Sequence, residues 1–471
     1  MNRNVRKTAV MLLVILVAAV IGVGVSYSES KSSNKAITSF SISGADGVID
    51  GKVITVDLTG MPLFSGVNAL VAKFTTSGKS VKVASRIQVS GKTANDFTKA
   101  VVYAVTAADG STETYTVRAF APKIVSLSGY SGTVVVGSDG SLWGTGRNSD
   151  GQLGMGNTNS VYVPKPILAS GVAATSAGYY HTLILKKDGS LWAAGYAKLG
   201  QLGNGSTTSV STPVQIFADG VAAVSAGVNF SLIVKNDGSL WATGSNDYGQ
   251  LGNGSTNNVT TPVQIISDSV TSASGGEHHS LVVKKDGSLW AMGANGHGQL
   301  GTGTTTDSRV PVQIVASGVV SASAGRAHSL FVKTDGSLWG MGYNEFGQLG
   351  TGANADVSTP AQILPTGVAA VSAGGDHTLV LKTDGSLWAM GYNKNGQIGN
   401  GGKDNVAAPT QILAAGVAAV AGGLVHSVIL KTDHSLWVTG YNNNGELGIG
   451  NRPGVLSLVQ VRRPSLAKGD Q

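Results

Sequence analysis

No cysteine occurs in the 471 residues, which excludes a disulfide framework, a zinc–cysteine site, an iron–sulfur cluster and a cysteine nucleophile. Charge is sparse as well: Asp, Glu, Lys and Arg make up 13% of the chain, and the net charge of +7 is scattered along it. A nucleic-acid surface needs a denser basic patch interleaved with stacking aromatics, so no nucleic-acid partner is expected. Aromatic residues are few, at 6%, while glycine is abundant, with 67 copies. Each glycine weakens a helix by roughly 1 kcal/mol relative to alanine, so this composition favours short strands and tight turns.

Long apolar runs are lacking too, with one exception. Arg3, Arg6 and Lys7 precede an apolar run from Ala9 to Val25, and small and polar residues follow around Ser26–Ser28. A basic head, an apolar stretch and a small-residue exit predict an export signal over residues 1–28, cleaved near Ser26 or Ser28. The run is about as long as a minimal membrane span, so an uncleaved anchor through residues 9–25 is the alternative. Either way the remainder is expected outside the cytoplasm, secreted or in the cell envelope, as a monomer. Residues 29–35 read as a short linker.

What the chain does have is a metronome. Its seven tryptophans are Trp143, Trp192, Trp241, Trp290, Trp339, Trp388 and Trp437, and each gap is 49 residues (192 − 143 = 49, through 437 − 388 = 49). A fixed period of this length means one supersecondary unit copied seven times. In the copy from Val172 to Ile216, small residues lead to Tyr179-Tyr180 and then to His181-Thr-Leu-Ile-Leu-Lys186. A turn, Asp188-Gly189, precedes Leu191-Trp-Ala-Ala-Gly195, and an irregular stretch around Gly200-Gln-Leu-Gly203 leads to Pro213-Val-Gln-Ile216. Asp-Gly between two apolar runs is a strong hairpin signal, because both residues tolerate positive φ. It recurs at Asp139-Gly140, Asp237-Gly238, Asp286-Gly287, Asp335-Gly336 and Asp384-Gly385, and the last copy departs as Asp433-His434.

The unit therefore reads as four short strands, A to D. Strand B is apolar on both faces, as in Leu183-Ile184-Leu185, and so belongs to a sheet covered on both sides. Strand A is thin enough to crowd a central axis. Seven such sheets in a ring make a seven-bladed β-propeller over residues 122–464, ahead of a tail at 465–471. A linear solenoid would need polar capping units, and neither end of the array is more polar than its middle. The tryptophans are then anchors between adjacent blades, each costing roughly 3–5 kcal/mol on truncation to alanine if buried. Six lysines recurring beside the turns (Lys186, Lys235, Lys284, Lys333, Lys382, Lys431) read as solvated flanks.

The strings Ser323-Ala-Gly-Arg-Ala-His328-Ser-Leu, Lys333-Thr-Asp-Gly-Ser-Leu-Trp339 and Gly342-Tyr-Asn-Glu-Phe-Gly347-Gln-Leu-Gly350 resemble the regulator of chromosome condensation repeat family. The resemblance covers about residues 124–462 and implies a seven-bladed propeller, in agreement with the count of copies. It also implies roles ranging from nuclear nucleotide exchange, through an inserted wedge, to target binding by secreted bacterial members through aromatic loop residues on one face. No insertion breaks the 49-residue spacing here, and an export signal precludes a nuclear partner. The secreted bacterial members are thus nearest in compartment.

Topology selects a face. In an A-B-C-D meander the A–B and C–D turns share one face, and these hold the residues that vary between copies. The A–B dipeptides are Tyr130-Ser131, Tyr179-Tyr180, Val228-Asn229, Glu277-His278, Arg326-Ala327, Gly375-Asp376 and Leu424-Val425. Repetition preserves what the fold needs, so variation marks positions the fold leaves free. Tyr, Phe and Arg are the types that dominate binding hot spots. The candidate partner-binding residues are Tyr130, Tyr179, Tyr180, Asn229, Phe230, Tyr248, Glu277, His278, Arg326, Phe346 and Asp376. The bland alternative is neutral drift on a solvated rim.

Five histidines, His181, His279, His328, His377 and His426, share one register, which Gly132 and Phe230 take in the other copies. Five copies cannot all be catalytic, and a structural role at the mouth of strand B is expected. Glu277-His278-His279 is the one local cluster of metal-ligating or proton-transferring types, yet no metal, cofactor or catalytic residue is assigned there. Gly203-Asn-Gly205 and its like are repeat consensus without the Gly-Lys-Ser/Thr of a phosphate loop. Asn204 and Asn253 match a glycosylation acceptor that the repeat itself explains.

Residues 36–121 lack the metronome. Strand-like runs at Ile37–Ile42, Val53–Leu58, Leu70–Phe74, Val81–Val83, Val101–Thr106 and Thr114–Phe120 predict a small β-sandwich. Asn95-Asp-Phe97 and Ala107-Ala-Asp-Gly110 before Tyr115-Thr-Val117 resemble immunoglobulin-like or cadherin-like modules of bacterial surface proteins, which implies a spacer. Ala121-Pro122 reads as the hinge to the ring. The expected whole is an exported, all-β, non-enzymatic binding module with a protein or glycan partner. Its rivals are a propeller lyase or hydrolase working around Glu277, His278 and Arg326, and a structural envelope protein.

Overall fold

The structure, a computed structural model, describes residues 31–58, 69–97, 99–120 and 124–461. The expected export signal, the hinge at Ala121-Pro122 and the tail at 465–471 lie outside the described residues. Among the described residues every regular element is a strand. Those up to 57 and from 70 to 119 form one compact unit, and those from 120 onward form another.

The N-terminal unit holds β1 (Ile37–Ile42), β2 (Ala45–Asp50), β3 (Val53–Asp57), β4 (Leu70–Thr76), β5 (Ser80–Val83), β6 (Arg86–Ile87), β7 (Ala94–Asn95), β8 (Val101–Thr106) and β9 (Thr112–Phe120). They hydrogen-bond in one order, β6-β5-β8-β9-β3-β2-β1-β4-β7. Phe40 of β1 and Phe74 of β4 both meet Tyr103 of β8 edge-on, at 5.2 and 5.9 Å. These strands are four and five places from β8 in the order, so the sheet curls over on itself to close its core. The layers of the expected sandwich are therefore parts of one continuous sheet.

Seven four-stranded antiparallel sheets follow, spanning residues 124–168, 172–217, 221–266, 270–315, 319–364, 368–413 and 417–460. Blade 2 shows the plan: strand A is Val172–Ala177, B is His181–Lys186, C is Leu191–Gly195 and D is Val210–Phe217. Strand A of each blade touches strand A of the next, and the first touches the last, so the A strands surround the axis. Their Ala, Ser and Gly side chains permit that crowding. Strand B carries the buried apolar load from both sides, with Leu183 and Ile184 almost wholly excluded from solvent.

Each blade draws all four strands from one continuous stretch, and the final strand, Val455–Gln460, pairs with strand C of its own blade. Among the described residues no strand is exchanged to close the ring. Closure rests instead on a cluster in which Val135 and Trp143 of blade 1 pack with Val428, Leu430, Leu436, Val438, Leu447 and Val461 of the C-terminal end. Hydroxyls stitch the same seam: Thr133 Oγ1 donates to the Glu446 carbonyl at 2.7 Å, and Thr145 Oγ1 to the Gly445 carbonyl at 2.8 Å.

The recurrent Asp-Gly-Ser-Leu-Trp string is a relay. In blade 2 Asp188 Oδ1 accepts from the backbone and the hydroxyl of Ser190, and Ser190 Oγ accepts from the Trp192 indole N–H at 3.0 Å. One indole face lies against the apolar cluster of the preceding blade. Lysine also lies over the ring: Lys186 Nζ stands 3.9 Å from the ring centroid, and the other five lysines do the same at 4.0 to 5.6 Å. The lysines are thus not merely solvated flanks. Trp143 is 8% exposed, whereas the other six indoles are half-buried, so the condition of burial is met in full by Trp143 and in part by the others.

The histidine register latches blades together. His181, His279 and His377 place Nε2 2.9 Å from Ser231, Ser329 and Ser427 of the next blade, and His328 and His426 reach Thr378 and Thr133 at 3.3 Å. Each hydroxyl donates its own proton to a carbonyl in the C–D loop of the histidine's blade, as Ser231 does to Gln201 at 2.7 Å. It must therefore accept from Nε2–H, which leaves Nδ1 unprotonated. All five rings are fully buried. Burial pushes His181, His279, His328 and His377 down to about 3 and His426 to about 4, so they are neutral.

Candidate binding face

The A–B turn of each blade lies over the first residue of its C–D loop. Tyr196 N–H donates to the Tyr180 carbonyl at 2.9 Å, Ala294 to His278 at 2.8 Å and Tyr392 to Asp376 at 2.8 Å. The B–C and D–A turns meet on the opposite face, where Val172 N–H bonds the Gly140 carbonyl at 2.9 Å. Strand C must end in a left-handed residue to let these turns close. Gly195 has φ of 118°, and a Cβ there would collide with His181 Cα at 2.7 Å.

Backbone bonds also run from turn to turn around the mouth. Val228 N–H reaches the Gly276 carbonyl at 3.2 Å, Arg326 reaches Gly375 at 3.0 Å, and Leu424 reaches Tyr130 across the first–last seam at 2.9 Å. The C–D loops are held from below by buried asparagine. Asn295 Oδ1 accepts from Leu300 N–H at 2.9 Å while its Nδ2 donates to the Thr304 and Thr306 carbonyls at 2.9 and 3.0 Å. The variable side chains therefore stand on a backbone frame that does not depend on them.

Two aromatic arcs stand on this frame. Over blades 1 and 2, Tyr130 meets Tyr179 at 5.9 Å, Tyr179 meets Tyr180 at 4.3 Å, and Tyr180 meets Tyr196 at 5.6 Å. The Arg147 guanidinium lies 5.1 Å from the Tyr179 ring and 5.2 Å from the Tyr180 ring, pinned by Ser149 at 2.9 Å and Asp150 at 3.3 Å. Over blades 4 to 6, His297 meets Tyr343 at 4.6 Å, Tyr343 meets Phe346 at 5.8 Å and Phe346 meets Tyr392 at 4.9 Å. Arg326 lies 5.4 Å from the Tyr343 ring and pairs with Asp376 at 2.9 Å. Between the arcs His278 stacks on Tyr248 at 4.7 Å and stands 3.7 Å from Glu277.

Electrostatics tie the mouth together. Burial pushes the Tyr130 phenol up, and the charges of Glu277 and Asp376 push it the same way. Blades 1, 4 and 6 thus act on one another around the axis. Burial also raises the Asp376 carboxyl, partly offset by its bond to Arg326. The Tyr343 phenol is pushed up to about 12 by burial, with the Glu345 carboxylate that it hydrogen-bonds adding to the effect. His278 is held below the usual imidazole value by burial, against the pull of Glu277 and Asp247.

Of the eleven candidates, ten stand on this face. Phe230 does not: it is 0% exposed, in the histidine register of strand B, packed with Leu232, Val282 and Met292. It replaces a latch by an apolar plug and cannot reach a partner. Asn229 is recessed, its Oδ1 accepting from Gln201 Nε2 at 3.3 Å. Tyr248 is the most open of the aromatics, at 42%. Of the rival catalytic trio, Arg326 is bonded to Asp376, while Glu277 pairs with His278. No group of three metal-ligating side chains occurs among the described residues.

Sequence reasoning missed Arg147, Tyr196, Tyr343 and Tyr392. They fill the middle position of the recurrent Gly-x-Asn, which reads Arg147, Tyr196, Ser245, Ala294, Tyr343, Tyr392 and Tyr441 through the seven copies. That variation was the available signal, hidden between an invariant Gly and a position that is Asn in six of the seven copies.

A closed ring of seven four-stranded blades with one variable loop face defines a β-propeller of interaction type. This chain belongs to the RCC1-like family: the model of the RCC1-like domain matches residues 105–367, more than half of the chain, and models of the Regulator of chromosome condensation (RCC1) repeat match residues 368–397 and 384–430. Ahead of the ring, residues 37–119 match the model described as SGBP, N-terminal, so this module is what the segment read as immunoglobulin-like is similar to. Human WBSCR16 is similar at 26% identity and a TM-score of 0.60, over 68% of this chain and 89% of that one. Yeast RCC1 (Prp20), solved bound to Kap60, is similar at 22% identity and 0.60, over 68% and 83%. A second Saccharomyces cerevisiae Prp20p structure, described with its binding properties to Gsp1p and histones, gives 22% and 0.61, over 68% and 86%. At 22% identity the likeness is one of fold. No curated protein sequence matches.

Proposed function

We propose that this chain is an exported, non-enzymatic binding module whose propeller presents the loops of one face to a protein or glycan outside the cytoplasm. The observation that carries the reading is the segregation of variation. Within a repeat that otherwise holds its spacing and its turns, the copies diverge at the A–B dipeptide, the Gly-x-Asn middle and the C–D turn, and these meet on one face as aromatic and charged arcs. That these residues contact one another across blade boundaries supports a binding role over drift. The basic-apolar-small N-terminus supports export, and the SGBP match ahead of the ring supports a role at a surface that handles glycans. The binding of Gsp1p and histones described for Prp20p supports the use of this fold as a docking platform.

The test is a cross-linking pull-down from the envelope and medium of the source cells. Residues 36–471 serve as bait, beside a variant with Tyr180, Tyr248, His278 and Tyr343 changed to alanine and an unchanged melting temperature. Capture by the native ring and loss by the variant is expected. Equal capture by both would move the function off this face.

A further inference from the structure

The blade 1–2 arc is built for one kind of ligand. Tyrosine takes three of the four A–B turn positions in blades 1 and 2 and none of the ten in blades 3 to 7. The same register accepts Val, Asn, Glu, His, Arg, Ala, Gly, Asp and Leu elsewhere, so the fold does not require tyrosine there. Tyr196, from the Gly-x-Asn middle of blade 2, extends the row to four rings. Each phenol pairs an apolar face with a hydroxyl, the combination that meets a pyranose on its C–H face and its hydroxyl edge together.

Three further observations narrow the class. The four rings are half-buried rather than proud of the surface, and of this face only Tyr248 is among the strongly exposed large hydrophobics of the described residues. A recessed row suits a slim ligand, whereas a protein partner would need about 800 Å² of surface on its side alone. The arginine of the arc is already bonded, Arg147 to Asp150, and so is not held free for an acidic group. Neighbouring rings meet at 77°, 66° and 42°, a stepped cradle in place of a flat stack. Ser131 and Gln152 both donate to the Tyr179 carbonyl, at 2.6 and 3.4 Å, and so fix the turn that holds the central ring.

We infer that Tyr130, Tyr179, Tyr180 and Tyr196, with Arg147, form a subsite for a neutral saccharide. This rests on the variable face being the binding face and names the ligand class for one arc of it. The experiment is affinity electrophoresis of residues 36–471 through gels containing xylan, galactomannan, mixed-linkage β-glucan, hydroxyethylcellulose or amylopectin, with polygalacturonate as the acidic comparison. Retardation by at least one neutral polysaccharide is expected. Tyr180→Ala should weaken it tenfold or more, Tyr180→Phe should keep most of it, and Lys285→Ala on the opposite face should leave it unchanged. A melting temperature within a few degrees of the parent qualifies each variant, and Arg147→Ala replaces any that fails.

Migration unaffected by every neutral gel overturns the inference. So does retardation indifferent to Tyr180→Ala, which would place saccharide binding elsewhere in the chain, and so does retardation by polygalacturonate alone. Should a protein be captured through the variable face while no neutral gel retards the chain, the face stands as the binding site and the saccharide assignment falls.

Discussion

The five latch histidines make the ring sensitive to acid in a definite window. Their folded values, about 3 to 4, lie below the ordinary 6.5 because burial disfavours the imidazolium. An unfolded chain therefore takes up protons between about pH 6.5 and 4 that the folded ring refuses, and stability falls as pH falls through that range. Each histidine contributes a slope of up to about 1.4 kcal/mol per pH unit there. Urea titrations at pH 7, 6, 5 and 4.5 should show a steep loss. His328→Phe, the residue blade 3 carries in this register, should lower the slope by about one proton; an unchanged slope would mean the latch is already charged. Backbone strain sits at His434, with φ of 66° where six other copies have glycine. His434→Gly should raise the unfolding free energy by about 1 kcal/mol, read as a higher urea midpoint.

Elements show where sequence reading succeeds and where it stops. Strands β1 and β8 match the predicted Ile37–Ile42 and Val101–Thr106 end to end, because alternating β-branched and aromatic residues between turn signals leave little choice. β2 was not foreseen, since Ala45-Asp-Gly-Val-Ile-Asp50 carries two aspartates and a glycine. Its place is set by pairing between β1 and β3, a tertiary cause that local propensity does not record. The same holds within the blade: the Asn of Gly-x-Asn recurs in the repeat string without revealing a role, yet its side chain organises the C–D loop. Asn295→Ala would leave Leu300 N–H and two loop carbonyls without their buried partner, at a cost of about 2–4 kcal/mol. Blade 2 carries Ala197 there, and its N–H donates to Ser209 Oγ at 3.2 Å just as the Asn295 N–H donates to Asp307 Oδ1 at 2.7 Å. Thermal melts of Asn295→Ala and Ala197→Ser would separate the two, with only the first losing stability substantially.

At the scale of the molecule, the period of 49 and the count of seven were enough to infer a ring, whereas its closure was not legible. Closure has Val135, Trp143 and Thr133 meeting Leu436, Val461 and Glu446 from some 300 residues away, through the same hydroxyl bonds that join other blades, and the period alone does not say that the first and last copies meet. A linear array would survive loss of a terminal repeat with a modest drop in stability. A ring should not: deleting residues 414–471 is expected to abolish its cooperative unfolding transition, and retention of a sharp transition would contradict closure. The binding face was legible as a set of positions, through variation between copies, but not in its contacts. Phe230 was misplaced because one register separates a mouth residue from a core plug, and the Gly-x-Asn tyrosines were hidden inside a motif. The account turns on that face being the docking surface. The most direct measurement places a photo-cross-linking amino acid at Tyr248 on the variable face, or at Lys285 beside the exposed turn of the opposite face, and irradiates the chain in the source cells. Adducts to a protein or glycan from position 248 and none from 285 are predicted; adducts from 285 alone, or equally from both, would contradict it.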